Sequence, residues 1–184
     1  MVGGVVPKPL VIPTPPAVHT FDVAVDRAFE QMRGRVFADR LFYAASELGD
    51  FSLIWHLIGA ASATVDEDRF VPAVRLSMLL GVESVLVNGV IKSLFRRERP
   101  DSETPRPHHL RAPRTSSFPS GHASAGFMAA GILSRSVPSA VALHAIATVV
   151  ATSRIHVKIH HPSDVLAGAL LGATMGQIAR RLSP

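Results

Sequence analysis

Five stretches of this sequence are nearly free of charge and rich in Ala, Leu, Val and Gly: Phe51–Val65, Pro72–Ile91, Ala123–Ser134, Ser139–Thr152 and Val165–Ile178. Nothing else in the chain constrains its fold as tightly. Phe51–Val65 holds no charged residue and is bounded by Asp50 and Asp66; Pro72–Ile91 is apolar apart from Arg75 and Glu83. A helix that is apolar all round belongs in a protein core or in a bilayer. None of the five is a clean run of the roughly 20 apolar residues expected of a spanning helix. A stretch of about 15 helical residues covers only ~22 Å of a hydrocarbon layer near 30 Å. Helices that continue into their polar flanks would cross it. Small residues at close spacing in the last stretch (Gly168, Ala169, Gly172, Ala173, Gly176) favour membrane packing. So does composition: 47% of residues are hydrophobic and only 18% charged, against about 25% in ordinary soluble domains. The expectation is an all-α, multi-pass transmembrane bundle of about five helices in the cell membrane.

Two segments stand outside that pattern. Residues 1–20 carry one lysine and five prolines (Pro7, Pro9, Pro13, Pro15, Pro16) and no long apolar core, so they read as a disordered or surface tail rather than a secretory signal. The domain is then 21–184. From Phe21 to Phe42, apolar residues recur at helical spacing (Phe21, Val25, Phe29, Met32, Val36, Phe37, Leu41) among acids and arginines, which predicts one amphipathic helix at an interface. A net charge of +5 implies anionic partners. The absence of cysteine excludes disulfides, thiol catalysis and zinc–thiolate sites.

Three polar clusters stand at the ends of the apolar stretches: Lys92-Ser-Leu-Phe-Arg-Arg-Glu-Arg99-Pro100, then Pro119-Ser120-Gly121-His122, then Ser153-Arg154 with His160 and Asp164. Helices running up and down would bring all of these ends to one face. The residue types then describe a phosphoryl site. Lys92, Arg99 and Arg154 supply cationic donors, the arginines as planar forks. Ser120 and Gly121 open a helix, where free backbone N–H groups favour an anion, and Gly121 allows close approach. Of His122 and His160, one can attack phosphorus and the other protonate the leaving oxygen. Asp164, four residues after His160, can orient an imidazole.

These clusters resemble the type 2 phosphatidic acid phosphatase superfamily, whose pattern is K-x6-R-P, P-S-G-H and S-R-x5-H-x3-D. Lys92–Pro100, Pro119–His122 and Ser153–Asp164 fit it at every motif position. The resemblance implies that His160 forms a phosphohistidine, His122 is the general acid and Asp164 orients His160. It further implies that Lys92, Arg99, Ser120, Gly121 and Arg154 bind the phosphate. No metal or other cofactor is implied. The substrate would be a phosphomonoester or pyrophosphate of a lipid, phosphatidic acid-like or polyprenyl phosphate-type, with membrane lipids as the other partners.

Several alternatives stand beside that reading. A soluble acid phosphatase or vanadate haloperoxidase would share the cradle, but hydropathy and short length oppose both. A non-catalytic binder of anionic lipid would use the basic loop Arg96–Pro119. Nucleic acid is not expected, since the aromatics there are only Phe118 and the edge residue Phe95. A metal held by His160, His161 and Asp164, with His156 a turn away, would compete with three cations in the same pocket. His56 and His144 read as packed or interfacial residues and His108 and His109 as solvated. Arg96, Arg97, Arg106, Arg111 and Arg114 read as a solvated or headgroup-facing charge cluster.

Overall fold

The computed structural model describes residues 13–100, 110 and 115–182. Among them there is no strand; the fold is all-α. Pro16 opens α1 (Pro16–Glu30), at the first-turn position where its missing N–H costs nothing. Gly34, at φ 80°, turns the chain into α2 (Val36–Gly49). The helix predicted over Phe21–Phe42 is therefore two helices. The left-handed glycine breaks a pattern whose apolar period runs across it. Helix α1 also begins inside the stretch read as a tail; residues 1–12 lie outside the described residues.

At Phe51 (φ 53°) and Ser52 (φ 59°) the chain turns a left-handed corner into α3 (Leu53–Val65). A single turn capped by Asp66 leads to α4 (Phe70–Ser84), which runs through a π-helical segment (Val85–Ile91) into the short α5 (Lys92–Leu94). After the loop come α6 (Gly121–Leu133), α7 (Val137–His156) and α8 (Pro162–Arg181). Each has a local reason to start where it does. The Ser120 hydroxyl accepts from the Ala123 N–H, Ser136 and Ser139 form a reciprocal capping box, and Asp164 accepts from the His161 N–H ahead of Pro162.

Among the described residues, three helical runs are long and apolar enough to cross a membrane: Val36–Val65, Glu67–Leu94 and Val137–His156. The α6 stretch is only 13 residues long and lies at the centre of the protein, most of its first nine residues buried. It packs against α8 with almost no side chain between the backbones. An added Cβ would lie 2.3 Å from the Ser120 carbonyl oxygen at Gly168, 2.0 Å from that of Ser124 at Gly172 and 3.0 Å from that of Met128 at Gly176. The four-residue glycine period is thus a seam that brings the N-termini of both helices together. A core of Trp55, Leu76, Leu80, Met128 and Ala147 joins α3, α4 and α7 to it. On the outer side, Val71, Met78, Val82 and Val85 are exposed, as are Leu166 and Leu170.

Candidate active site

The seam places the ends of four helical runs beside one cavity of about 420 Å³. Lys92, Gly121, His122, Arg154 and His160 line it. This is the convergence predicted from alternating helices. Arg99 stands next to it, its NH1 donating to the Ile159 carbonyl at 2.9 Å and lying 3.5 Å from His160 Nε2. Its NH2 donates to the Thr115 and Ser116 carbonyls. Arg154 is buried and anchored by a hydrogen bond to the Ser46 hydroxyl. Ser120 is behind the wall. Its side chain is fully buried as the helix cap, and its N–H donates to the Asp164 carbonyl at 3.0 Å. A Cβ at Gly121 would meet Asn88 Oδ1 at 2.8 Å, so a side chain there would displace the Asn88 amide.

His160 lies in the turn between α7 and α8 and is 2% exposed. Burial pushes its imidazole down to about 3; Asp164 pulls the other way, and the charges of Arg154 and Arg99 add to the downward push. The ring is therefore neutral at physiological pH, with a lone pair available. Its Nδ1 faces Asp164 Oδ2 at 3.7 Å, an ion-pair distance too long for a hydrogen bond. Nε2 is on the opposite, Arg99 side of the ring. His122 is held through Nε2, which is 3.1 Å from Asp50 Oδ1 and 3.2 Å from the Ser46 carbonyl.

Several partners escaped sequence reasoning. Arg97 is no solvated charge. Its NH1 donates to Asp164 Oδ1 at 2.5 Å and to the Ser163 hydroxyl at 2.8 Å, and its NH2 donates to Asp22 Oδ2 at 2.7 Å. Asp22, on α1, is 5% exposed and also accepts from the Ser163 N–H at 2.7 Å. A chain Asp22–Arg97–Asp164–His160 thus runs from the N-terminal helix to the cavity. Asp50 marked only the edge of an apolar run. No local pattern distinguishes Asp22 or Asp50 from surface acids. Arg97 was hidden among four other arginines.

Other histidines are placed elsewhere. His156 stacks on Phe42 at 4.6 Å and bonds Asp39 at 2.8 Å, outside the cavity lining and away from the three residues with which a metal reading grouped it. His161 Nε2 contacts the Glu98 carbonyl at 3.2 Å, and His144 contacts that of Ala140 at 2.8 Å. His56, expected to be a packing residue, bonds Ser77 at 2.9 Å and lines the cavity. Arg106, Arg111, Arg114, His108 and His109 lie outside the described residues.

Residues 72–184 match the PAP2 superfamily, a span that takes in Lys92, Gly121, His122, Arg154 and His160 at the cavity. The chain belongs to the PAP2 superfamily. Among curated relatives, this PAP2 protein is 34% identical to the decaprenylphosphoryl-5-phosphoribose phosphatase of Mycolicibacterium smegmatis over 131 residues, 68% of each chain. It is 41% identical to the Mycobacterium tuberculosis protein of that name over 91 residues, 48% of this chain and 49% of that one. The match thus spans about half the length of the latter relative. The fold is that of two solved membrane-phosphatase structures. One is the transmembrane PAP2-type phosphatidylglycerolphosphate phosphatase of Bacillus subtilis, with a TM-score of 0.69, 24% identity and coverage of 91% of this chain and 86% of that one. The other is LpxE of Aquifex aeolicus, with a TM-score of 0.69, 24% identity and coverage of 88% and 95%.

Proposed function

We propose that this PAP2 protein is a multi-pass membrane phosphatase that hydrolyses the phosphomonoester of a lipid-linked phosphate through a phosphohistidine on His160. The observation that carries the reading is the meeting of a buried neutral imidazole, a second imidazole and two buried cations, Lys92 and Arg154, in one cavity. The sugar phosphate on a polyprenyl carrier named for the mycobacterial relatives is the favoured substrate class.

The residues divide the work. Lys92, Arg99 and Arg154, with the backbone N–H that opens α6 at Gly121, hold the phosphoryl oxygens and the charge that spreads over them in the transition state; Ser120, its own N–H bound to the Asp164 carbonyl, caps the helix behind them. His160 Nε2 attacks phosphorus as the bond to the leaving oxygen breaks. Burial and then Arg154 push His122 down to about 4, against Asp50 at 3.1 Å, so His122 must first take up a proton with the support of Asp50 and then gives it to that oxygen. Asp164 balances the charge that His160 acquires. Water then attacks the phosphohistidine, loses its proton to His122 and frees both phosphate and His160. The exposed Val71, Met78, Val82 and Val85 suit a bilayer rather than water, which favours the membrane form over a soluble relative.

The test is phosphate release from a panel of lipid phosphates by detergent-purified protein in EDTA. Wild-type turnover in chelator, with a loss of at least ~10³-fold in His160→Ala, is the expected result. A folded protein that releases phosphate from none of them would leave an anionic-lipid binder. Release abolished by EDTA would point to a metal mechanism.

A further inference from the structure

We propose that the cavity beyond the phosphate cradle is a subsite for a polyhydroxylated leaving group, with Glu83, Ser84 and Asn88 as its recognition residues and Ser52, His56 and Ser77 as its far wall. The inference rests on the phosphatase reading and adds the chemistry of the group that leaves.

The cavity does not end at the cations. It is also lined by these six residues, from the corner before α3 (Ser52), α3 (His56), α4 (Ser77, Glu83, Ser84) and the π segment (Asn88). At about 420 Å³ it is in the size range of small-molecule pockets, far more than one phosphoryl group needs. Ser77, Ser84 and Asn88 fall seven and four residues apart, on one stripe of a helical run whose other faces carry the exposed Val74, Met78, Val82 and Val85. Polar groups on an otherwise apolar membrane helix are expensive, and they mark ligand paths. The stripe is already organised. His56 Nδ1 is 2.9 Å from the Ser77 hydroxyl, and Asn88 Nδ2 donates to the Ser84 hydroxyl at 3.3 Å.

Glu83 gives the independent sign of a missing ligand. It is 1% exposed, it lines the cavity, and its Oε1 has no hydrogen-bond partner among the described residues. A buried carboxyl oxygen without a donor is rare, and a substrate hydroxyl would supply one. The neighbouring wall carries strain: Phe51 and Ser52 are consecutive left-handed residues at the cavity edge. Such conformations persist where the surroundings enforce them, commonly at ligand sites. The same corner begins at Asp50, which holds His122. The leaving oxygen takes its proton from His122, so the leaving group lies toward this wall. Hydroxyls can donate to Glu83 and accept from Asn88. A hydrocarbon satisfies neither, and a diacyl ester, which has no donor, leaves Glu83 unsatisfied.

The experiment uses the full chain in detergent. Thermal-shift titration gives affinities for ribose 5-phosphate and for pentyl phosphate, which share a phosphate and differ in hydroxyls. The expected wild-type preference for the sugar phosphate is at least ~tenfold, since sites built to bond hydroxyls reject analogues that lack them. Glu83→Gln and Asn88→Leu should bring that ratio to about one. Ser84→Ala, a minimal change, should lower it several-fold and guards against misfolding of the other two. A wild-type ratio near one, or equal losses for both ligands, overturns the subsite. Because the readout is binding, a preference without phosphate release would sink the phosphatase reading and keep the subsite. Release without any preference would do the reverse.

Discussion

The two helix pairs beside the cavity are built by opposite rules. Between α6 and α8, glycines at 168, 172 and 176 set backbone against backbone, with carbonyl oxygens where side chains would be. Between α3 and α4, contact is made by side chains such as Trp55, Leu76 and Leu80, and the far side is exposed Val and Met. The first pair fixes positions: Ser120, His122 and Asp164 all sit within its first turns. The second supplies an adaptable wall. Chemistry that needs small tolerances stands on the seam, and the cavity's room stands on the wall. In a bilayer this division is natural, because lipid gives helices no hydrophobic drive to associate and close packing must do it.

The largest predicted effect strikes the seam. A methyl at Gly172 would lie 2.0 Å from the Ser124 carbonyl oxygen and 2.7 Å from its carbon, so α6 and α8 must separate. Gly172→Ala should cost about 3 kcal/mol or more and leave little monodisperse protein on size exclusion in detergent. Gly89→Ala, in the π segment of the wall, has nothing within 4 Å of its added carbon and should be neutral or slightly stabilising. Equal damage from both would erase the distinction between the pairs.

The next effect is a pH dependence. His160 is held neutral in the folded protein down to about 3, whereas in the unfolded chain it takes a proton near its ordinary value of 6.5. Below 6.5 the unfolded state therefore binds the extra proton. Stability contributed by keeping this ring neutral is complete above 6.5 and is lost as pH falls toward 3, at up to ~1.4 kcal/mol per pH unit. Melting temperature should fall across that window in the wild type and more gently in His160→Gln. Identical slopes would mean that the ring is more open to water than its 2% exposure implies.

A smaller effect tests whether α1 belongs to the rigid side. Asp22 balances one face of Arg97, leaving the other for Asp164. With Asp22→Asn, the full guanidinium charge falls on Asp164 and weakens its support of the cation forming on His160. We expect kcat to fall about tenfold, equivalent to ~1.4 kcal/mol, with KM nearly unchanged, and Asp22→Glu to recover part of it. A change in KM alone would make α1 a docking element without influence on the reaction.

What could be read in the sequence follows the same division. The cradle was legible because its residue types sit at helix ends in fixed local spacings, and alternation of helices converts those ends into one face. The glycine seam was legible as a period of four. What was not legible depends on tertiary placement. The pairing of Asp22 with Arg97 spans 75 residues. Gly34 cuts a continuous amphipathic period through its backbone angle alone. The central position of α6 was not legible either, because interior and lipid-facing helices are equally apolar.

The smallest effect is the sharpest test of what surrounds the wall. Val82 is 61% exposed on α4, two residues from Leu80, which is 2% exposed. If acyl chains cover Val82, its methyl groups leave one apolar contact for another. Val82→Ala should then change stability by no more than ~0.5 kcal/mol. Leu80→Ala empties space inside the protein and should cost ~2–5 kcal/mol. The pair can be compared by detergent melting curves and again in lipid nanodiscs. A cost at Val82 approaching that at Leu80 would mean that protein, such as a second copy of this chain, covers the face. A cost that appears in nanodiscs and not in detergent would place that contact in the bilayer.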